Sequence, residues 1–263
     1  MLFRSQKAER ALTGLGPLDV LTGGFWPGEP IIVAGRTAHG KTALVGAHLP
    51  LRCAEQGYDT ELITLEDPPD GIVRRQVANL SGIPTKRLKT GDLSPSDFEG
   101  AEAAVRHLQT LPLTVTGLDT LRTLDEDALV AAVARSKAQI VLVDHLQKVQ
   151  TRGESRNYGL ERVMNGLHTA AIRDNKALVL SVQISREMEG KEGRKPRPPR
   201  LSDLRDSGGL EILARGVWLI YWPWQHDPKR DQSDFEIRVA KQNDGPTGVV
   251  TCHFDPSTGR FEA

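Results

Sequence analysis

The stretch that most constrains the fold of this chain is AGRTAHGKTAL, at residues 34–44. Its spacing fits G-x-x-x-x-G-K-[ST], a loop whose backbone N–H groups and lysine face phosphates while its hydroxyl holds Mg²⁺. The apolar run EPIIVA precedes the motif, and TALVGAHLPLRCAEQG follows it with helical spacing that ends at Gly57. The sequence therefore predicts a strand, a phosphate-binding loop and a helix. The predicted nucleotide-binding residues are Gly35, Arg36, Thr37, Ala38, His39, Gly40, Lys41 and Thr42.

The alternative interpretation of this stretch is an ordinary glycine turn before a helix. It requires four fixed positions to match by chance, which we expect in about one chain of this length in a hundred. The order of strand, loop and helix favours nucleotide binding instead.

Further apolar runs predict the fold class. TELIT, AQIVLVD and ALVLSVQ, at residues 60–64, 138–144 and 177–183, are separated by stretches with helical periodicity. Such alternation is typical of a mostly parallel sheet with helices on both faces. GVWLIYW, FEIRVAKQ and GVVTCHF follow with few residues between them, which indicates antiparallel strands at one edge. We therefore expect one α/β domain built on a mixed sheet.

Polar residues follow these runs where ligands bind in open α/β sheets. Asp144 comes directly after IVLV and is the candidate that holds Mg²⁺ opposite Thr42. Glu66 is the candidate that orients or deprotonates an attacking water, and Gln183 the one that senses a γ-phosphate. For Glu66 a second interpretation stays open, because Pro68 and the residue after it resemble a helix start that a carboxylate caps.

Composition limits the partners and the compartment. The chain has 34 basic and 34 acidic residues, so any contact with nucleic acid must be local. Cys53 and Cys252 show no metal or redox spacing, which favours buried thiols in a reducing cytoplasm. The first residues lack the apolar core of a signal peptide, and no run of about 20 apolar residues spans a bilayer. We expect a cytoplasmic protein without membrane contact.

Six segments together extend these predictions. AGRTAHGKT, TLEDPPDGIVRR, IVLVDHLQKV, LSVQISREME, LSDLRDSGGLE and VAKQNDGP occur in the order seen in the ATPase domain of DnaB-type replicative helicases. The chain resembles that domain from about Thr13 to near its C-terminus, so we expect an N-terminal extension at residues 1–12 and a RecA-like domain at residues 13–263. The resemblance implies a hexameric ring that moves along single-stranded DNA, with ATP sites between subunits. Only about a dozen residues precede the similarity, so we expect weaker ring assembly.

The resemblance also implies roles for single residues. Lys41 and Thr42 contact phosphate and Mg²⁺, and Glu66 is the catalytic carboxylate. Asp144 serves the metal, Gln183 senses nucleotide, and Arg75 is an active-site arginine. The family's DNA-backbone contacts fall on Arg205, Asp206 and Gly208.

Two groups of side chains near these positions have alternative interpretations. The basic segment at residues 189–200 is either an exposed, solvated loop or part of the DNA-binding region. Trp218, Tyr221, Trp222 and Trp224 form either a stacking platform for bases or strand packing at the sheet edge, and the packing interpretation is favoured.

One position departs from the family's pattern. Lys241 matches the family's lysine, but Asn243 stands where the family places an arginine that acts on a neighbouring subunit. A helicase or translocase is the first hypothesis, and a nucleotide-switched binding protein without unwinding is the second. Lys241 or Arg238 are then the candidates that replace the arginine. A small-molecule phosphotransferase is disfavoured, because no arginine-rich lid is recognisable.

Overall fold

A computed structural model describes residues 10–117, 125–153, 155–185, 196–207 and 210–263, with the backbone alone for residues 205–207. The strands are β1 Pro30–Gly35, β2 Thr60–Thr64, β3 Leu113–Thr116, β4 Ile140–Asp144, β5 Ala177–Gln183, β6 Gly216–Tyr221, β7 Asp234–Gln242, β8 Gly248–Asp255 and β9 Arg260–Glu262. The helices are α1 Gly16–Thr22, α2 in two parts (π-helical Thr42–His48 and Leu49–Glu55), α3 Pro69–Ser81, α4 Thr85–Thr90, α5 Pro95–Thr110, α6 Glu126–Arg135, α7 Arg156–Arg173 and α8 Leu210–Leu213. Short 3₁₀ turns span Leu146–Lys148, Leu201–Ser207 and Pro223–Gln225.

Within the described ranges, nine strands form one sheet in the order β3-β2-β4-β5-β1-β6-β7-β8-β9. The pairs from β3 through to β6 are parallel, and those from β6 to β9 are antiparallel. The predicted α/β fold with antiparallel strands at one edge is confirmed. Strand β3 was not predicted, because it lies at the other edge, only partly buried, and lacks a continuous apolar run.

Alternate side chains of β1 belong to two different hydrophobic clusters. One cluster includes Ile32 and Ala34, and the other includes Ile31 and Val33. Successive side chains of a strand point to opposite faces, so the sheet has a core on each side. Strands β1 and β4 are therefore buried throughout, whereas β7 and β8 alternate between buried and more exposed positions. This explains why the central strands read as unbroken apolar runs.

Helix α2 contains Pro50, which has no N–H to donate to the carbonyl of Gly46 four residues earlier. The buried side chain of Gln76 donates to that carbonyl at 3.2 Å. The π-helical part of α2 ends two residues before this proline. A glutamine from α3 thus satisfies the acceptor that the proline leaves, and ties α3 to the helix that follows the phosphate loop.

The burial and position of the tryptophan on β6 decide between the two interpretations of the aromatic group, and show that its strand is not at the sheet edge. Trp218 is fully buried, and Trp222 is nearly so, which confirms packing rather than a platform for bases. Strand β6 pairs with β1 on one side and β7 on the other, so it lies inside the sheet and not at its edge. The antiparallel extension covers β6, which the spacing of apolar residues did not reveal.

At the N-terminal end, Ala11 forms a bridge with Phe25, and the side chain of Gln56 bonds the backbone of Leu12. The predicted boundary at residue 12 stays a prediction. Gly208 and much of the basic segment at residues 189–200 lie outside the described residues. In the parts of the chain that are described, none of the helices has both the length and the apolar character needed to cross a bilayer.

Candidate nucleotide-binding site

The phosphate loop connects β1 to α2 in a conformation that its glycines permit. Gly40 has φ 84°, and a Cβ on Gly35 would lie 2.4 Å from the side chain of Ile220 on the neighbouring strand. Lys41 folds back over the loop, and its Nζ donates to the carbonyls of Gly35 at 3.0 Å and Arg36 at 2.9 Å. The predicted strand, loop and helix are therefore present, with the lysine held at the centre of the loop.

Burial has the largest effect on the pKa of Lys41, which is only 8% exposed. It lowers the pKa of the ammonium to about 8, although the negative charge of Asp144 opposes the shift. Arg36 lowers the pKa further, and Glu66 raises it. An ammonium that has lost this much solvation gains strongly from a phosphate anion placed beside it.

Asp144 lies buried under the start of α2, at the end of β4. Its Oδ1 has no hydrogen-bond partner among the described residues. Its Oδ2 is 3.7 Å from where a Cβ on Gly46 would stand, and the Thr42 methyl carbon is 3.2 Å from the same point. Because Gly46 has no side chain, α2 can lie close to the Asp144 carboxylate. A buried carboxylate oxygen without a partner fits Mg²⁺, a hard cation that prefers oxygen ligands and needs few of them from the protein.

Both carboxylate oxygens of Glu66 have cationic or imidazole partners. Oε2 is 2.8 Å from Nε2 of His145, and Oε1 is 3.0 Å from Nζ of Lys148. Burial raises the pKa of the Glu66 carboxyl, but the hydrogen bond from Lys148 and the neighbouring charges bring it below its ordinary value. The side chain is 47% exposed and lines the cleft as an ionised carboxylate. The helix-cap alternative is wrong, since Pro68 is the N-cap of α3 and no side chain caps that helix.

Gln183, at the end of β5, contacts the phosphate loop directly. Its Nε2 donates to Oγ1 of Thr37 at 2.9 Å. Its backbone pairs with Gly35 on one side and with the side chain of Gln147 on the other. The contacts of His145, Gln147 and Lys148 were not predicted, although all three residues lie in the segment IVLVDHLQKV, shortly after Asp144.

A cleft of about 1010 Å³ brings most of the predicted residues together. Its predicted lining residues are Arg36, Thr37, Ala38, Gly40, Lys41, Thr42, Glu66, Arg75 and Gln183. Within this wall, Arg75 pairs with Asp67 at 3.1 Å. Trp222, Gln225, Phe254 and Pro256 also line the cleft.

His39 is a predicted ATP-binding residue that does not line the cleft. Its buried ring packs against the rings of Tyr221 and His226, and its Nδ1 accepts from the backbone N–H of Trp222 at 3.3 Å. Burial is the main cause that lowers the pKa of His39 to about 3, with the positive charges nearby adding to it. The neutral, buried imidazole therefore attaches the phosphate loop to the residues at and after the end of β6.

Lys241 and Arg238 of β7, the candidates to replace the family's arginine that acts on a neighbouring subunit, do not line this cleft. Lys241 Nζ donates to the carbonyls of Glu211 and Ala214, each at 2.7 Å, at the C-terminal end of α8. Asn243 donates its backbone N–H to the carbonyl of Arg215 at 3.0 Å. Arg238 pairs with its neighbour Glu236 on the same strand. The structure therefore does not bring these residues together with Glu66 within one chain.

The candidate DNA-binding residues Arg205 and Asp206 have their backbone on the 3₁₀ turn Leu201–Ser207. Asp203 anchors the start of this turn through two bonds from Arg197, at 2.7 and 2.8 Å. The carbonyl of Asp203 accepts from Ser185, two residues after Gln183. The turn is thus attached close to the end of β5.

Comparison with known proteins yields a consistent group of relatives. Residues 11–263 match the model of the DnaB-like helicase C terminal domain. The chain is 29% identical to the replicative DNA helicase DnaB of Treponema pallidum, over 95% of this chain and 55% of that protein. It is 30% identical to a probable plasmid replicative DNA helicase of Chlamydia trachomatis, over 90% and 51%. The chain therefore spans about half the length of these curated relatives.

Solved structures show the same fold. The ATPase domain of G40P superposes with a TM-score of 0.87 at 22% identity, covering 97% of this chain and 91% of that one. A DnaB-like replicative helicase studied with its primase interactions gives the same TM-score and identity, over 97% and 62%.

Proposed function

This chain belongs to the DnaB-like helicase C-terminal domain family, and on that premise we propose that it hydrolyses ATP to move along single-stranded DNA. One observation carries the proposal. Lys41, Glu66, Asp144 and Gln183 come from the ends of neighbouring parallel strands or the loop that follows them, and meet at one edge of the sheet. This is where ligands bind in open α/β sheets.

Each of these side chains has a part in phosphoryl transfer. The Lys41 ammonium stabilises charge on the terminal phosphates, and Glu66 orients the water that attacks the γ-phosphorus in line. Gln183, whose side chain donates to Thr37 of the phosphate loop, senses the γ-phosphate. Thr42 and Asp144 would hold Mg²⁺, which would supply positive charge that offsets the negative charge of the terminal phosphates.

DNA contact is proposed at the segment of Arg205, Asp206 and Gly208. A basic side chain and backbone N–H groups there contact phosphates without reading bases, which is compatible with a formal net charge of zero. We further propose that the chain works in the cytoplasm as a hexameric ring or a weaker oligomer, with ATP between subunits.

A second function is favoured by Lys241 on β7 and by Asn243 just after that strand. Asn243 carries no charge, and Lys241 is engaged by carbonyls of its own chain. A protein of this kind binds ATP and DNA as a switch that controls assembly on a partner, with hydrolysis too slow to drive unwinding.

The two functions are separated by measuring steady-state ATP turnover with and without single-stranded DNA, together with displacement of a strand from a forked duplex. A translocase shows DNA-stimulated turnover and strand displacement that requires ATP. ATP-dependent DNA binding without displacement supports the switch. Failure to bind ATP at all contradicts both.

A further inference from the structure

The turn that follows β4 contacts both the phosphate loop and Glu66. We propose that residues 145–148 form a coupling element, in which Gln147 and Lys148 are positioning residues that link the state of the phosphate loop to the Glu66 carboxylate. The proposal rests on the ATPase function proposed above. It assigns a role to side chains that the phosphate-binding motif does not include.

Polar contacts within hydrogen-bond distance connect the phosphate loop to Glu66. Thr37 accepts from the Gln183 side chain at 2.9 Å. Gln147 holds the Gln183 backbone twice, since its Oε1 accepts from the N–H at 2.9 Å and its Nε2 donates to the carbonyl at 3.0 Å. Nδ1 of His145 lies 3.2 Å from Oε1 of Gln147, and its other ring nitrogen contacts Glu66. The phosphate loop and the carboxylate are thus joined through three side chains.

The position of Gln147 explains why it transmits movement. The parallel ladder between β4 and β5 ends at the pair of Val143 and Leu180, before β5 reaches Gln183. The amide of Gln147 takes over from that ladder by satisfying both backbone groups of Gln183. Gln183 also pairs with Gly35, the first residue of the phosphate loop motif. A displacement of the loop is therefore carried to the turn through the pairing of Gly35 with Gln183 and the two bonds of the Gln147 amide.

The two ends of the turn fix the carboxylate of Glu66. His145 and Leu146 are buried, which limits the motion of the turn. The His145 ring and the Lys148 ammonium each hold a different oxygen of Glu66. Two contacts on two oxygens define the rotation of the carboxylate as well as its position, and orienting a water requires both.

The first test is Gln147→Met, which has nearly the same volume but cannot make the paired bonds to Gln183. We expect kcat for ATP hydrolysis to fall about 10- to 100-fold, because small misplacements of catalytic groups have effects of this size. The dissociation constant for a non-hydrolysable ATP analogue should stay within about twofold, since Lys41 and the loop remain. Gln109→Met, on the exposed face of α5, is the matched control and should resemble the parent.

Coupling is tested by combining Gln147→Met with Gln183→Leu. If the two side chains act in one chain of contacts, the double variant should lose no more kcat than the more affected single variant. Losses that multiply would show independent contributions and overturn the coupling.

Substitutions at Lys148 give a second test that stays valid if the Gln147 variants fail to fold. The Lys148 side chain is 40% exposed, so its replacement should disturb folding little. Lys148→Met should lower kcat with analogue affinity retained, and Lys148→Arg should restore most of the activity. Lys137→Met is the exposed control. If Lys148→Met and Gln147→Met both turn over ATP at the parent rate, the coupling element is disproved while the ATPase function stands. A parent chain without turnover would contradict the ATPase function, and the coupling with it.

Discussion

Lys41 and Lys241 were both predicted to act on ATP, but their ammonium groups bond to different parts of the chain. Lys41 is buried in the phosphate loop, bonded to loop carbonyls at the wall of the cleft. Lys241 bonds to carbonyls at the end of α8, outside the cleft of its own chain. Residues predicted to act within one chain thus converge on the cleft, whereas those predicted to act on a neighbouring subunit have contacts elsewhere in their own chain.

The largest effect is expected at the first of these lysines. Lys41→Ala should leave no measurable ATP turnover, because the ammonium that stabilises the β- and γ-phosphates is gone. Turnover measured by phosphate release, with the exposed Lys137→Ala as control, checks this prediction. Turnover that survives in Lys41→Ala would show that the cleft is not the site of hydrolysis.

Glu66→Gln separates binding from chemistry at the same end of the sheet. The amide keeps the shape of the side chain but cannot act as a base, so turnover should fall about 10²- to 10⁴-fold. ATP binding, followed with a fluorescent analogue, should be retained. Hydrolysis at the parent rate would mean that another group orients the water.

Lys241→Met examines the other lysine. Loss of its bonds to three carbonyls should lower the free energy of unfolding by about 1–2 kcal/mol, as expected for charged hydrogen bonds at a partly exposed site. Urea unfolding of the variant and of the exposed control Lys229→Met measures the difference. Unchanged stability with lost turnover would instead place Lys241 on the nucleotide of a neighbouring subunit.

A smaller change is expected at the proposed DNA segment. Arg205→Ala should weaken binding to single-stranded oligonucleotides and reduce the slope of log affinity against log salt by about 1, as one phosphate contact is lost. Titrations at several salt concentrations give the slope. An unchanged slope and affinity would remove Arg205 from the DNA site.

The central strands and the strand-end residues were predictable because they depend on local pattern. Apolar runs covered on both faces predicted β1, β2, β4 and β5, and each run pointed to the polar residue that follows it. Parallel strands then bring those residues to one edge whatever the details of packing.

Contacts that depend on register and side-chain direction were not predictable. Thr64 of β2 lies opposite Asp144 of β4, and only this register puts Glu66 within reach of His145 and Lys148. Nothing in the spacing of these residues indicates which of them faces the carboxylate. The Lys241 contacts likewise need the position of α8, which the sequence pattern does not define.

We propose that one chain supplies the ATP site up to Glu66 and Gln183, and that the site lacks a cation from the neighbouring subunit because Asn243 is uncharged. ATP turnover per subunit, measured against protein concentration for the parent and for Asn243→Arg, tests this most directly. An arginine supplied by a neighbour contributes about 10³- to 10⁵-fold in rate, which sets the upper limit of the gain. We expect slow parent turnover that depends little on concentration, and a concentration-dependent increase in Asn243→Arg. Fast, strongly concentration-dependent turnover of the parent would contradict the account and show that Lys241 or Arg238 already supplies the charge.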